Sequence, residues 1–186
     1  MRRRGAIAAL AVGVAALGIA AFALAGGSGA GFNHLTATMS GYQEVPSVSS
    51  TGTADFTADV SKDGSSIAWQ LSYSGLEGTV QQSHIHFGQR SVTGGISVFL
   101  CTNLGNGPAG TQACPQSGTI SGTIHAADVS PAIPATLAAR NQGIDTGEYD
   151  ELVRAIGAGK AYANLHTDKW PGGEIRAQLN EDDPHN

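Results

Sequence analysis

The chain has little charge, few aromatic residues and only two cysteines. Charged residues make up 13% and aromatic residues 6% of its 186 residues, whereas globular domains commonly contain about 25% charged residues. This scarcity argues against coiled coils and helical bundles with salt-bridged surfaces. Glycine is abundant, at 26 residues, and serine and threonine are plentiful. The composition therefore favours many turns and β-structure within one domain.

The first 25 residues combine a basic start with a long apolar run. Three arginines at positions 2–4 precede residues 5–25, which carry no charge, and the tripeptide 23–25 (ALA) precedes a glycine-rich segment. This order is typical of a secretory signal peptide with an A-x-A cleavage site. The alternative is an uncleaved membrane anchor, because an apolar run of this length can span a bilayer. Both interpretations predict an exported chain, either secreted or anchored to the membrane and facing outside.

Beyond residue 25 we expect a linker at 26–31, one β domain at 32–180 and a tail at 181–186. Three of the ten basic residues and none of the fifteen acidic residues lie in the first 25 positions, so the exported part is acidic. Without a Lys/Arg cluster it is unsuited to nucleic acid or anionic lipid. We expect no nucleic-acid partner, and membrane contact only through an uncleaved N-terminal segment. The expected partner is an extracellular protein or a surface ligand.

Short runs of alternating apolar and polar residues dominate the domain. Alternation at 35–39, 54–60 and 67–73, with turn residues 62–64 (KDG) between the last two, is typical of strands that bury one face. Further strands are predicted at 80–87, 95–101, 119–124, 160–166 and 174–179. The pattern predicts an all-β fold: an antiparallel Greek-key sandwich or barrel, immunoglobulin-like or superoxide-dismutase-like.

One short helix interrupts the strands. Apolar residues spaced i, i+3, i+4 and i+7 from Tyr149 to Ile156 predict it, with Asp145 as its N-cap and Glu148 as its third residue. The stretch 126–142, which contains two prolines, is predicted to be a long loop beside the sheet.

Cys101 and Cys114 both lie in the exported part, where oxidising conditions favour a disulfide. The bond would close a loop of about 14 residues and stabilise the fold by roughly 3 kcal/mol. The alternative is a cysteine metal pair, but no second cysteine pair accompanies it and the spacing fits no zinc motif.

The segment 83–88 (SHIHFG) carries the strongest local signal for a site. On a strand His84 and His86 point to one face and Ile85 to the other, and Asn164 shares a face with His166 in the same way. Ile85 and Leu165 are then expected to share the core. If these strands converge, three imidazoles can bind a transition metal, with Zn or Cu as candidates and His125 as an optional fourth ligand. The alternative is a metal-free hydrogen-bonded network.

No complete catalytic constellation accompanies these histidines. The sequence contains neither a G-x-S-x-G elbow nor a P-loop, and its carboxylates are scattered. We therefore favour a non-catalytic binding or structural module over an enzyme. The competing hypothesis is a metalloenzyme, such as a copper-dependent redox protein.

Three motifs in order resemble the CHRD domain: 83–88 (SHIHFG), 161–167 (AYANLHT) and 171–176 (PGGEIR). Segments 35–37 (LTA) and 41–46 (GYQEVP) extend the resemblance to residues 32–179. This domain is repeated in chordin, an extracellular antagonist of bone morphogenetic proteins, and occurs singly in microbial exported proteins. The resemblance implies an extracellular all-β domain and suggests that both histidine motifs serve one site. Antagonism of growth factors is not implied, because the chain lacks chordin's cysteine-rich modules and tandem copies.

The segment 171–173 (PGG) predicts a tight turn that joins the His166 strand to the next one. Glu174 and Arg176 would then share a face beside the histidines and Asn164, and Glu174 could orient an imidazole. The alternative is an ordinary cross-strand ion pair, which contributes about 0–1 kcal/mol.

Overall fold

The computed structural model describes residues 32–179, and eight strands form the framework of this range. They are β1 His34–Ser40, β2 Thr53–Val60, β3 Ile67–Ser74, β4 Val80–Phe87, β5 Gly95–Thr102, β6 Gly118–Ile124, β7 Ala161–Thr167 and β8 Ile175–Gln178. All belong to one antiparallel sheet in the order β5-β4-β7-β8-β1-β2-β3-β6, which curls into a nearly closed barrel. The prediction of an antiparallel all-β fold is confirmed, with the barrel as its architecture.

The hairpin between β2 and β3 shows how local sequence sets the register. The Asp63 carboxylate accepts hydrogen bonds from the Ser61 hydroxyl at 2.6 Å and from the Ser65 backbone N–H at 3.2 Å. Short polar side chains that bond to nearby backbone groups favour turns. The turn pairs Val60 with Ile67, so apolar positions on both strands face the same side.

The barrel is closed between β5 and β6 by a loop. These strands are the two edges of the described sheet, and the connecting residues 103–117 fill the gap. The side-chain amide of Gln112 donates to Leu100 O on β5 and to Ser121 O on β6, each at 3.1 Å. The predicted Cys101–Cys114 disulfide is confirmed and ties this loop to β5.

Apolar residues from alternating strand positions fill the barrel. Ile85 on β4 and Leu165 on β7 share this core, as the alternation predicted. Their neighbours across β7 and β8, Ala163 and Ile175, belong to the same cluster. The opposite side of β4, β7 and β8 is therefore the outer side of the barrel wall.

Within residues 32–179, two short α-helices lie outside the sheet, one more than predicted. Helix α1, Leu137–Asn141, falls in the stretch predicted to be a loop, because five residues are too few to show a helical period. Helix α2, Tyr149–Gly157, lies where a helix was predicted. Its N-cap is Glu148 rather than Asp145, since Gly147 has a left-handed φ of 83° that keeps the preceding residues out of the helix. The Glu148 carboxylate still accepts the Asp145 N–H at 2.7 Å.

The predicted signal or anchor at 1–25, the linker at 26–31 and the tail at 181–186 lie outside the described residues. Within 32–179, no helix has the length and apolar character needed to cross a membrane.

Candidate metal centre

The predicted histidines lie on the outer side of the barrel wall. β4 pairs with β7 so that His84 faces Asn164 and His86 faces Tyr162. β7 pairs with β8 so that Asn164 faces Arg176. Directly paired residues share a sheet face. The structure therefore brings the two histidine motifs to one face, the one opposite the core.

The histidines are buried although they point away from the core. His84, His86 and His166 are 0%, 6% and 7% exposed. The loop between β4 and β5 reaches over His86, and the turn between β7 and β8 reaches over His166. Each provides a carbonyl, from Gly94 and Pro171 respectively, at 2.9 Å from an imidazole nitrogen. The loops thus create a second buried region outside the barrel.

The three imidazoles are close enough to share one metal ion. Each offers a ring nitrogen, and these three atoms lie within 4.8 Å of one another. His84 Nδ1 lies 3.2 Å from His166 Nε2. Two nitrogens bound tetrahedrally to zinc at about 2.0–2.1 Å are separated by roughly 3.3–3.4 Å. The His84–His166 spacing therefore fits metal ligation with little movement, whereas His86 would move closer.

Backbone carbonyls determine which nitrogens are free to bind. A carbonyl only accepts hydrogen bonds, so Nδ1 of His86 donates to Gly94 O and Nδ1 of His166 donates to Pro171 O. This leaves the lone pair on Nε2 of both rings. The Nε2 atoms of His84 and His86 are buried and have no hydrogen-bond partner among residues 32–179. Imidazoles that ligate metals typically donate their other N–H to a carbonyl or carboxylate in this way.

Burial keeps these imidazoles neutral. It lowers the pKa of His84 well below its ordinary value, and the neighbouring His86 and His166 lower it further. Burial also lowers the pKa of His86 to about 3 and shifts the pKa of His166 downward. Neutral imidazoles each have one lone pair, so no histidine has to lose a proton to solvent for metal binding at neutral pH. Ligation through His84 Nδ1 requires only that the His84 proton move to Nε2, since Nδ1 donates to His166 in the metal-free cluster.

Tyr162 and Arg176 form the wall beside His86. The Tyr162 ring stacks on His86 with a centroid separation of 4.7 Å and an interplanar angle of 3°. The guanidinium carbon of Arg176 lies 3.4 Å from the centroid of the Tyr162 ring. Arg176 also donates to Val92 O at 3.0 Å and Gln89 O at 3.2 Å, and so holds the β4–β5 loop over the site.

Two of the residues that the sequence assigned to the site, Glu174 and His125, make their contacts away from the three histidines. The buried Glu174 carboxylate accepts hydrogen bonds from the Ser50 and Thr167 hydroxyls at 2.6 and 2.8 Å. The imidazole acceptor role considered for it is filled by Pro171 O at His166. Glu174 precedes β8, so strand alternation does not determine its direction. His125 is exposed, beside a 3-10 turn at Ala126–Asp128.

Sequence reasoning missed Glu44, which lies near the cluster. Glu44 is 6% exposed, and its Oε1 atom is buried without a hydrogen-bond partner in the described part of the chain. Burial raises its pKa to about 7, while the charge of Arg176 and a contact with Asn164 oppose the rise. The only sequence signal was its position in the segment 41–46 (GYQEVP), which contains no periodic pattern.

The profile of the CHRD domain matches residues 35–179. The chain belongs to the CHRD domain family. All three histidines and Glu44 lie within the matched CHRD region. Comparison with curated proteins and with solved structures gave no match. Membership suggests an extracellular binding or structural module, and the histidine cluster within it has a geometry that allows metal binding.

Proposed function

We propose that this CHRD domain is an exported binding or structural module whose three-histidine cluster binds Zn or Cu. The supporting observation is the 3.2 Å approach of His84 Nδ1 to His166 Nε2, in a cluster where carbonyls fix the tautomers of His86 and His166. Neutral nitrogen ligands suit Zn and Cu, whereas Mg and Ca prefer oxygen.

The bound metal would supply a cross-link between β4 and β7. His84 and His86 belong to β4 and His166 to β7, while Gly94 and Pro171 orient the rings from the covering loops. Because binding to the folded state alone shifts the unfolding equilibrium, the metal would stabilise the module.

Calorimetric titration of the metal-free protein with Zn and Cu tests the proposal. We expect one metal ion per chain and a higher melting temperature. The H84A/H86A/H166A variant should give no binding heat, while the control His125→Ala, which changes an exposed histidine, should bind as wild type. Circular dichroism checks that each variant is folded. Equal heats for wild type and the triple variant would contradict the proposal.

The second candidate role for the cluster is a metal-free network that orders the two strands. The contact between His84 and His166 favours it, because it already forms a hydrogen bond across β4 and β7. This role predicts no metal heat in any variant, together with a loss of stability in the triple variant. Titration and denaturation together therefore separate the two roles.

The apolar N-terminal run supports the proposed export. We propose an extracellular protein or surface ligand as the partner, with membrane contact only through an uncleaved segment. Mass spectrometry of the native N-terminus provides the test. A chain beginning near Gly26 in the culture medium indicates cleavage, and one beginning at Met1 in the membrane fraction indicates an anchor. An intact chain in the cytoplasm would contradict export.

A further inference from the structure

Glu44 is a buried acid in the segment between β1 and β2. Its Oε1 atom has no hydrogen-bond partner within residues 32–179. Arg176 attracts this carboxyl, but its guanidinium donates to Gln89 O and Val92 O on the β4–β5 loop. Burial raises the pKa of Glu44 to about 7 despite that attraction. A buried carboxylate is costly unless it is paired, so Glu44 has room for a further cationic donor.

A cavity with mainly apolar walls lies beside this carboxyl. It has a volume of about 210 Å³ and is lined by residues from 44–48 and 169–173, with Glu44 as their acidic member. The volume is roughly seven times that of a water molecule in the liquid, enough for a molecule of about five or six non-hydrogen atoms. Pro46 and Gly172 line the cavity and are exposed, so it is accessible from solvent.

Gly173 allows the carboxyl to form part of the cavity wall. A Cβ atom at Gly173 would lie 2.2 Å from Oε1 and 2.9 Å from Oε2 of Glu44. The missing side chain therefore leaves space for both carboxyl oxygens beside the turn. Because Gly173 lines the same cavity, the acid and the apolar walls belong to one site.

The charges around the cavity favour a cation. Lys169 lines it, but its Nζ atom is paired with Glu77 Oε2 at 2.7 Å. The same ammonium lies 4.3 Å from the centroid of the Trp170 ring, which shows that this indole accepts a cation. After residue 25 the chain carries all fifteen acidic residues but only seven of the ten basic ones. Its overall potential therefore attracts cations.

We infer that this cavity binds a small primary alkylammonium ion, whose ammonium group donates to the Glu44 carboxylate while its alkyl group packs against Val48 and Trp170. Such an ion combines a cationic donor with apolar surface, which are the two properties that the carboxyl and the walls require. An anion would be repelled by Glu44, and a hydrocarbon would leave the carboxyl unpaired. The inference is independent of metal binding, because none of the three histidines lines the cavity.

Three ligands with the same carbon skeleton test the inference on the metal-free full-length protein. Isopentylamine, isopentanol and isovalerate are titrated at about pH 8, where Glu44 is ionised, and followed by calorimetry and tryptophan fluorescence. We expect the amine to saturate one site per chain, the alcohol to bind at least about tenfold more weakly, and isovalerate not to bind. Absence of amine binding, equal affinities for amine and alcohol, or binding of isovalerate would overturn the inference.

Variants locate the bound amine. Glu44→Gln should lose at least about tenfold in isopentylamine affinity and keep its isopentanol affinity within about twofold, because only the charged hydrogen bond is removed. The matched control Glu151→Gln, at an exposed position on α2, should bind the amine as wild type does. Circular dichroism checks that both variants are folded, and the three-ligand comparison decides the question in wild type if Glu44→Gln does not fold. Unchanged amine affinity in folded Glu44→Gln would overturn the inference.

Trp170→Phe identifies the origin of the fluorescence signal. The chain has two tryptophans, and the other one, Trp69, lies in the barrel core. The variant should therefore show no fluorescence change with isopentylamine. A change that persists in Trp170→Phe would place the amine outside this cavity and contradict the inference.

Discussion

His84 Nδ1 and His166 Nε2 lie 3.2 Å apart and connect β4 to β7 on the outer side of the barrel. His166 donates through Nδ1 to Pro171 O, so its Nε2 accepts and His84 must donate through Nδ1. We predict that nitrogen NMR of the metal-free protein shows all three histidines as neutral Nδ1–H tautomers at about pH 7 to 8, with His84 and His86 still neutral at about pH 6. Metal binding should shift the His84 resonances most. A cationic His84 at about pH 6 would contradict the prediction.

The stability of the metal-free protein should depend on pH through two opposing effects. Below about pH 6.5 the unfolded chain protonates histidines whose folded pKa values are lowered, so stability falls as the pH falls. Glu44 has the opposite effect on stability. Its pKa is higher in the folded protein than in the unfolded chain, so the stability that it contributes at low pH is lost as the pH rises through about 7. Arg176, which faces Glu44, stays charged, and Tyr162 stays neutral.

Glu44→Gln should separate these effects. Urea unfolding across about pH 5 to 8 should show a steeper loss of stability on acidification in this variant, by about 1.4 kcal/mol per pH unit for the one proton involved. Its stability should no longer fall as the pH rises above about 6.5. The control Glu151→Gln, at an exposed position on α2, should follow the wild type. If stability changed with pH in the same way in Glu44→Gln and in wild type, the raised pKa of Glu44 would be disproved.

Glu174→Gln should weaken the fold without weakening metal binding. The Glu174 carboxylate accepts hydrogen bonds from the Ser50 and Thr167 side chains and from the Glu77 backbone. In the variant, a side-chain NH2 group that only donates hydrogen bonds replaces one of these accepting oxygens. We therefore expect the free energy of unfolding, measured with urea, to fall by about 2–3 kcal/mol. Metal affinity should change less than twofold. A tenfold to hundredfold loss, typical of residues that orient a metal ligand, would instead place Glu174 in the site.

Replacing either of two neighbouring glycines in the β7–β8 turn with alanine should have different effects on stability. Gly173 has a φ of 130°, and a Cβ atom there would lie 2.2 Å from Glu44 Oε1. Gly173→Ala should therefore cost more than about 2 kcal/mol in stability, from backbone strain and from displacement of Glu44. Gly172→Ala is the matched control and should stay within about 0.5 kcal/mol of wild type. Equal stabilities would show that Glu44 does not pack against this turn.

Gln112→Ala should loosen the closure between β5 and β6. The variant loses both side-chain hydrogen bonds to Leu100 O and Ser121 O, which should cost about 1–3 kcal/mol in thermal or urea unfolding. Backbone amides near this closure should exchange faster with deuterium than those in the β2–β3 hairpin. Gln89→Ala, at an exposed position in the β4–β5 loop, should leave both measurements unchanged. Uniform exchange rates across the barrel would contradict a local role for Gln112.

Most of the strands could be located from the sequence because side-chain alternation is a local property. Ile85 and Leu165 were assigned to the core, and His84 and His86 to one face, from period-two spacing alone. Turn chemistry at 62–64 and the isolated cysteine pair were similarly readable, since each depends on residues close together in the chain. The short helix α1 could not be located from the sequence, because its five residues are too few to show a helical period.

The site itself required tertiary structure. Only the pairing of β4 with β7 brings His166 beside His84, and only the covering loops bury histidines that face away from the core. Glu44 reaches Asn164 from a segment 120 positions earlier in the chain, and Glu174 turns away because it precedes its strand. The sequence by itself determined which side chains share a strand face, since neighbouring backbone dihedrals set that. Strand adjacency and loop cover decided which of them meet, because those contacts form between residues distant in sequence.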